Sequence, residues 1–280
     1  MISGLALLLA LADPAPAASP VAPPIPTAEN PAVSLSEAGR AIAAGRLDQA
    51  RSMLGTAVAA GARGDAVDRL LADLALARGE YESALGLYKA LLANHPNESL
   101  LLERGGIAAL HLGRTGEATA LLDRATQAPG AGWRAWNARG AAADEQGRWD
   151  EADAAYARAA ELGPGRAEIA NNQGWSMMLR GRWADALASF MRAASINPNL
   201  PRLANNLELA RAAVATGLPP RLPGEGDEAF ASRLNDAGVV ASASGDRQRA
   251  EAAFSQAIEL RSRWYARAAA NLAALDGGAK

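Results

Sequence analysis

Glycines, alanines and large apolar residues recur along this chain at a fixed interval. Gly45, Gly79, Gly113, Gly147 and Gly181 stand 34 residues apart without a slip, and an alanine follows each five positions later, at Ala50, Ala84, Ala118, Ala152 and Ala186. Nine positions after each glycine comes a large apolar residue: Leu54, Tyr88, Leu122, Tyr156 and Phe190. Self-similarity at such a period marks an array of small units, none of which buries its apolar face alone, so stability comes from stacking. No strand-like alternation runs along the chain and β-branched residues are few, so each unit reads as a pair of helices. The repeated glycine falls where the first helix must stop, since glycine takes the left-handed C-cap conformation without steric cost. Pro164 and Pro198 close the second helices of their units, because proline cannot continue a helix. Small residues such as Gly140 and Ala152 let the two backbones approach closely, while Trp136 and Tyr156 fill the wedge against the neighbouring unit.

The unit resembles the tetratricopeptide repeat (TPR), a helix-turn-helix module. Residues 133–166 carry its signature at Trp136, Gly140, Gly147, Trp149, Ala152, Tyr156, Ala159 and Pro164. The next copy gives Gly174, Gly181, Trp183, Ala186, Phe190, Ala193 and Pro198. Residues 65–98 keep Gly79, Tyr81, Ala84, Tyr88 and Pro96, and residues 99–132 keep Gly106, Gly113, Ala118 and Ala125. Residues 31–64 hold Gly45, Leu47, Ala50 and Leu54. The resemblance implies an all-α fold, a right-handed superhelical solenoid of TPR helix-turn-helix repeats, with twelve or more antiparallel helices from about residue 33 to residue 275. Trp133, Trp136, Trp149 and Trp183 are expected to be packing residues.

After Pro198 the array breaks step. Residues 202–216 read as another first helix, but Glu208 stands where the family prefers glycine and no second helix follows. Residues 217–226 contain Gly217, Pro219, Pro220, Pro223, Gly224 and Gly226, a composition that opposes regular structure. This loop is expected to be the most mobile interior segment and to hinge the C-terminal repeat against the first five. The pattern resumes with Gly238, Gly245, Ala250, Phe254 and Ala257, and residues 263–275 read as a solitary capping helix. The expected organisation is five repeats plus an unpaired helix over residues 33–216, the loop, then a sixth repeat and the cap over residues 227–280.

The first residues follow another pattern. Residues 1–12 are nearly all apolar, and Ala10, Leu11 and Ala12 fit a small-x-small cleavage site, although no Lys or Arg precedes the run. The segment reads as an export signal, too short to span a bilayer comfortably, so no stable membrane anchor is expected. Residues 13–32 form a Pro/Ala-rich linker with seven prolines, a composition that favours an extended tether. Export would place the mature chain in a bacterial periplasm.

Charge and chemistry narrow the function. The formal net charge is −2 with both signs interspersed, so the electrostatic footprint of nucleic-acid binding is absent. With no cysteine there is no disulfide framework, thiolate metal site or acylated cysteine. His95 and His111 stand apart in sequence, whereas a metal site needs several converging ligands. Gly224 and Gly226 follow no strand, which excludes a phosphate-cradling loop. Neither a catalytic constellation nor a cofactor is expected.

One polar pattern stands out. Asn137, Asn171 and Asn205 share one helix position 34 residues apart, Asn172 and Asn206 share the next, and Asn235 returns after the phase shift. In the family the first helices line a concave groove, and these positions face it. An asparagine amide offers donors and an acceptor, matching an extended peptide backbone. Arg134 and Arg202 would add charged hydrogen bonds to a carboxylate, and Trp175 would add apolar area. The competing reading makes the asparagines struts between neighbouring repeats. The lysine pair of carboxylate-clamp relatives is missing.

The favoured function is a non-catalytic scaffold or adaptor that binds a protein or an extended peptide segment. In its export signal, its alanine- and arginine-rich composition and its Asn-Asn-x-Gly-type helix starts, the chain is similar to TPR components of pilus or secretion assembly, including the Flp/Tad-type pilus system. The alternative is a regulatory or accessory subunit of a cell-envelope enzyme.

Overall fold

The computed structural model describes residues 31–260 and 265–277. Among them are fourteen α-helices and no strand. The signal-like run of residues 1–12 lies outside the described residues, as does the linker up to its last two positions. Among the described residues, no helix is long and apolar enough to cross a membrane.

The chain divides into two compact units, one running through Gln146 and the other from Gly147. The first contains α1 (Pro31–Ala43), α2 (Leu47–Ala59), α3 (Asp65–Ala77), α4 (Tyr81–Asn94), α5 (Ser99–His111), α6 (Thr115–Gln127) and α7 (Trp133–Asp144). The second contains α8 (Trp149–Leu162), α9 (Ala167–Leu179), α10 (Trp183–Ile196), α11 (Leu203–Ala215), α12 (Asp227–Ala243), α13 (Arg247–Glu259) and α14 (Ala266–Gly277). The expected export linker thus ends two residues early, where Pro31 opens α1. The expected cap is present as α14, starting a little later than the sequence suggested.

Short turns fold consecutive helices back on each other, and the repeated glycine makes the turn. Gly45, Gly79, Gly113, Gly147, Gly181 and Gly245 all have φ between 66° and 79°, a region that side-chain-bearing residues rarely enter. At Gly79 the turn is a Schellman motif: the Gly79 N–H donates to Leu76 O at 3.1 Å and the Glu80 N–H to Ala75 O at 2.9 Å. The same bond pair recurs at Gly45, Gly113, Gly181 and Gly245. Each pair satisfies carbonyls that the helix end would otherwise leave open.

Within a pair, a glycine of the first helix receives the large residue of the second. A methyl placed on Gly174 would stand 2.6 Å from the Phe190 ring, one on Gly106 would stand 2.6 Å from Leu122, and one on Gly238 would stand 2.5 Å from Phe254. Phe190, Leu122 and Phe254 are all buried. Stacking joins repeats within a unit: in the second, Trp175, Met178, Trp183, Phe190, Leu203 and Phe230 belong to one buried cluster.

The loop after α11 corrects the expectation of a mobile hinge. No second helix follows α11, which packs instead against α10 and α13. Residues 217–226 fold onto the α9–α10 turn and are held there. Leu218 is buried, and its carbonyl accepts from Trp183 Nε1 at 3.1 Å. The Arg221 guanidinium lies 5.0 Å from the centroid of the Phe230 ring and 5.7 Å from that of Trp149. Arg233 donates to both Glu225 oxygens, at 2.9 and 2.7 Å, and to Pro220 O at 2.6 Å, while the Leu222 N–H donates to Glu225. The Arg233 guanidinium holds the Glu225 carboxyl down at about 2, so the clamp stays charged at any physiological pH. Gly181 is doubly required: its φ is positive and a methyl there would meet the Arg221 backbone nitrogen at 2.5 Å. Proline and glycine stop helix here, and the segment is tied to its neighbours by tertiary contacts.

This packing fixes two expected outcomes. Gly174→Ala should destabilise the protein by about 1–3 kcal/mol through overpacking against Phe190, measured as a lower urea midpoint at unchanged slope. Glu225→Gln should make residues 217–226 the first site of limited proteolysis, whereas the wild-type loop should be cut no faster than the turns; mass spectrometry of the fragments reads both.

Candidate functional site

The asparagines emerge from first helices, and most of them point inward. Asn137 lies in the first unit on α7 and is buried; Asn171, Asn172 and Trp175 on α9, Asn205 and Asn206 on α11 and Asn235 on α12 lie in the second. Asn206 Nδ2 donates to Asn171 Oδ1 at 2.9 Å, and Asn171 Nδ2 donates to Asn172 Oδ1 at 3.3 Å. Three amides thus form one directional chain between neighbouring repeats. Asn206 is 4 % exposed, so this bond is a strut. Of the two readings of Asn206, groove contact or strut between repeats, its bond and burial match the strut, because α11 approaches α9 closely enough to cover it. Asn235 is also buried and accepts from Asn271 Nδ2 at 2.9 Å, a strut from α14 that the sequence had not flagged.

The chain of amides ends in unused donors. Asn172, 1 % exposed, has no acceptor for its Nδ2, and Trp175, 3 % exposed, has none for its Nε1. Three positions apart, the two residues share one face of α9. A buried donor left without an acceptor costs about 1–3 kcal/mol, and both of these are sealed from solvent, so an incoming carbonyl reaches them only where the α9 face parts. Asn137 Oδ1 is also unsatisfied, an acceptor rather than a donor.

The remaining candidates are presented differently. Asn205 is exposed. Arg202 is exposed too, caps the start of α11, and has the only positive φ of any non-glycine among the described residues, at 64°. Arg134 lies over the Trp133 ring at 4.5 Å. Of the expected packing tryptophans, Trp133 and Trp183 are buried, while Trp136 and Trp149 are half-buried. His95 contacts Asp65, and His111 stacks on Tyr81 with ring centroids 4.2 Å apart; burial lowers the His111 imidazole to about 4, which keeps it neutral.

A second polar cluster, in the first unit, carries charge instead of amides. Arg69 grips Glu98 through two hydrogen bonds. Arg104 contacts Asp73, which also accepts from the Tyr88 hydroxyl at 2.7 Å. Burial, reinforced by Asp73, pushes the Tyr88 hydroxyl up, so it remains a donor. The repeat period held a signal for this cluster: Arg69 and Glu103 stand 34 residues apart in the same column as Asn137, Asn171 and Asn205.

Comparison with known proteins agrees with this architecture. The tetratricopeptide repeat family model matches residues 35–99, 69–132, 104–167 and 137–201. A search of curated proteins gives no significant match. Among solved structures, the chain is similar to the thermophilic TPR protein TTC0263 of Thermus thermophilus, with a TM-score of 0.57, 22 % identity, and coverage of 65 % of this chain and 99 % of that one. PilW, a type IV pilus biogenesis factor, gives a TM-score of 0.53 at 17 % identity, covering 81 % of this chain and 91 % of its own. A TPR protein from Parabacteroides merdae gives 0.52 at 16 % identity, with coverages of 88 % and 98 %. Identities this low carry the fold alone.

Asn206→Ala tests the strut directly. It should strand the Asn171 carbonyl and lower stability by about 1–3 kcal/mol, whereas Asn205→Ala on the exposed side of the same helix should shift it by less than about 0.5 kcal/mol; urea denaturation compares them.

Proposed function

The chain belongs to the tetratricopeptide repeat family, and from that premise we propose that it is a non-catalytic scaffold that holds an extended segment of a protein partner against α9 and α11, in the assembly of a bacterial pilus or secretion system. Repeats of this family are in general protein-interaction scaffolds, and the stacked first helices offer polar groups at a regular interval. The observation that carries the reading is the pair of unsatisfied buried donors, Asn172 Nδ2 and Trp175 Nε1, on one face of α9. Free protein bears the cost of both, and a peptide carbonyl admitted where the α9 face parts would relieve it. Exposed Asn205 and Arg202 at the start of α11 lie one repeat further on and extend the contact with a donor-acceptor amide and a guanidinium.

The pilus context rests on the export-like start of the sequence and on the fold shared with PilW, a type IV pilus biogenesis factor. A periplasmic location belongs to the same proposal. Mature protein from the native host is expected to begin at Asp13 or a few residues later, and N-terminal sequencing of the periplasmic fraction checks it; intact Met1 in the cytosol would refute export.

Trp175→Phe separates ligand contact from packing. The substitution removes the N–H together with one ring of the buried indole, so the free protein should lose about 1–3 kcal/mol through the cavity left behind, and binding is compared per folded molecule. Loss of a hydrogen bond worth about 1.4 kcal/mol should weaken partner binding about tenfold. The full-length chain, used as bait in an envelope extract, should capture a pilus or secretion component that the Phe variant releases at lower concentration. Equal capture by both proteins refutes the α9 site, and capture of an envelope enzyme in place of an assembly component favours the accessory-subunit alternative.

A further inference from the structure

Away from the asparagines, the first unit contains a cavity of about 210 Å³ between the start of α5 and the start of α7. Pockets that enclose drug-sized ligands are larger, roughly 300–1,000 Å³, so this one suits the end of a single side chain. Leu100, exposed, and the Trp133 ring form its apolar wall, and Glu103, Arg104 and Arg134 supply its charge.

Glu103 is the unusual member. Only 5 % exposed, it makes no ion pair among the described residues and accepts a hydrogen bond from the Ala135 N–H. The charged groups around it are Arg104 on its own helix, Arg134 on α7 and, beyond Arg104, Asp73 on α3 with the Tyr88 hydroxyl from α4. Arg104 is in direct contact with Asp73, which offsets its charge, and Arg134 lies over Trp133. A buried carboxyl without a cation in contact is costly in its charged form. Burial accordingly pushes Glu103 up to about 7, against the pull of Arg104, Arg134 and the Ala135 N–H.

We propose that this cavity is a subsite for a primary ammonium on an alkyl stem, the lysine side chain of a bound partner segment. The methylenes run along Leu100 and Trp133, and the ammonium donates to the Glu103 carboxylate. A lysine has this form, an apolar stem carrying a compact charge with three donors. The assignment deepens the scaffold reading and rests on it for the source of the ammonium. Its chemistry can be probed without any partner.

The proton balance gives a signature. Glu103 is raised in the folded state, so its protonated form is favoured up to about pH 7 and the stability this confers is lost as pH rises through that value. An ammonium binds the carboxylate only, and therefore displaces the proton. Binding should be about tenfold tighter at pH 8 than at pH 6, with proton release near neutrality.

The test uses the isotope-labelled full chain and three small probes followed by NMR. N-acetyl-lysine amide should shift the amides near residues 99–104 and 130–135 saturably, and its saturating presence should move the Glu103 carboxyl titration well below 7. N-acetyl-norleucine amide, with the stem but no charge, should do neither. Glycinamide, which presents the ammonium of a chain terminus, should bind at least tenfold more weakly than the lysine probe. Glu103→Gln should remove lysine-probe binding while leaving the rest of the amide spectrum in place, and Arg134→Ala should tighten it. Equal shifts from the norleucine and lysine probes, or no saturable shift on wild type, would overturn the proposal without involving any variant. Tighter binding of glycinamide would overturn the side-chain assignment. Loss of partner capture by Trp175→Phe reports on α9 alone, so failure of either site is visible separately.

Discussion

Close approach of two helices in each repeat is the constraint on which the rest of the structure depends. Gly174 against Phe190, Gly106 against Leu122 and Gly238 against Phe254 leave no room for even one methyl. That contact draws the first helix onto the second, and the left-handed glycine turn between them sets the angle at which they return. Once both are fixed, the remaining apolar face of each hairpin has one place to go, the face of the next hairpin. The 34-residue period is the sequence image of this requirement. The small and large residues of each of these pairs stand 16 apart, a spacing kept at Gly238 and Phe254 even though the period slips before them.

This explains why the fold was legible in the sequence and parts of the site were not. Period, glycine turns and the small-to-large pairing are local, and they survive translation directly into helices α1 to α13. The loop after α11 was misread because proline and glycine report on backbone conformation alone. Its anchoring comes from Leu218, Arg221 and the Arg233–Glu225 clamp, which are tertiary contacts between residues of ordinary appearance. The asparagines were correctly singled out as a column, but burial depends on how near the next first helix comes. Asn206 and Asn205 are adjacent in sequence; one is sealed between α11 and α9 and the other meets solvent. The export-like start has no counterpart among the described residues.

The column itself shows how one structural coordinate carries several chemistries. At the same position of successive first helices stand Arg69, Glu103, Asn137, Asn171 and Asn205. Around the first two column positions, Arg69 and Glu103, the neighbours are ionic: Arg69 with Glu98, Arg104 with Asp73, His95 with Asp65. Each residue of these pairs remains partly exposed, which limits both the desolvation cost and the energy returned. From Asn137 onward the groups are amides, and all but Asn205 are almost fully buried. A neutral amide can be sealed off at far lower cost than a charge, provided its bonds are made.

Those bonds are made incompletely, and the incompleteness is directional. In the chain from Asn206 through Asn171 to Asn172, each amide donates onward, so the deficit collects at the last N–H instead of being shared. A strut built only for stability would end on an acceptor. Trp175, three positions on along α9, adds a second donor. Glu103, at the same column position two repeats before Asn171, is left without a cation in contact while the surrounding acids Glu98 and Asp73 each have one. Buried polar groups in folded proteins are satisfied in the great majority of cases. The two units leave opposite kinds of group without a partner, donors on α9 in one and a carboxyl on α5 in the other, so each exception is a feature of its own unit.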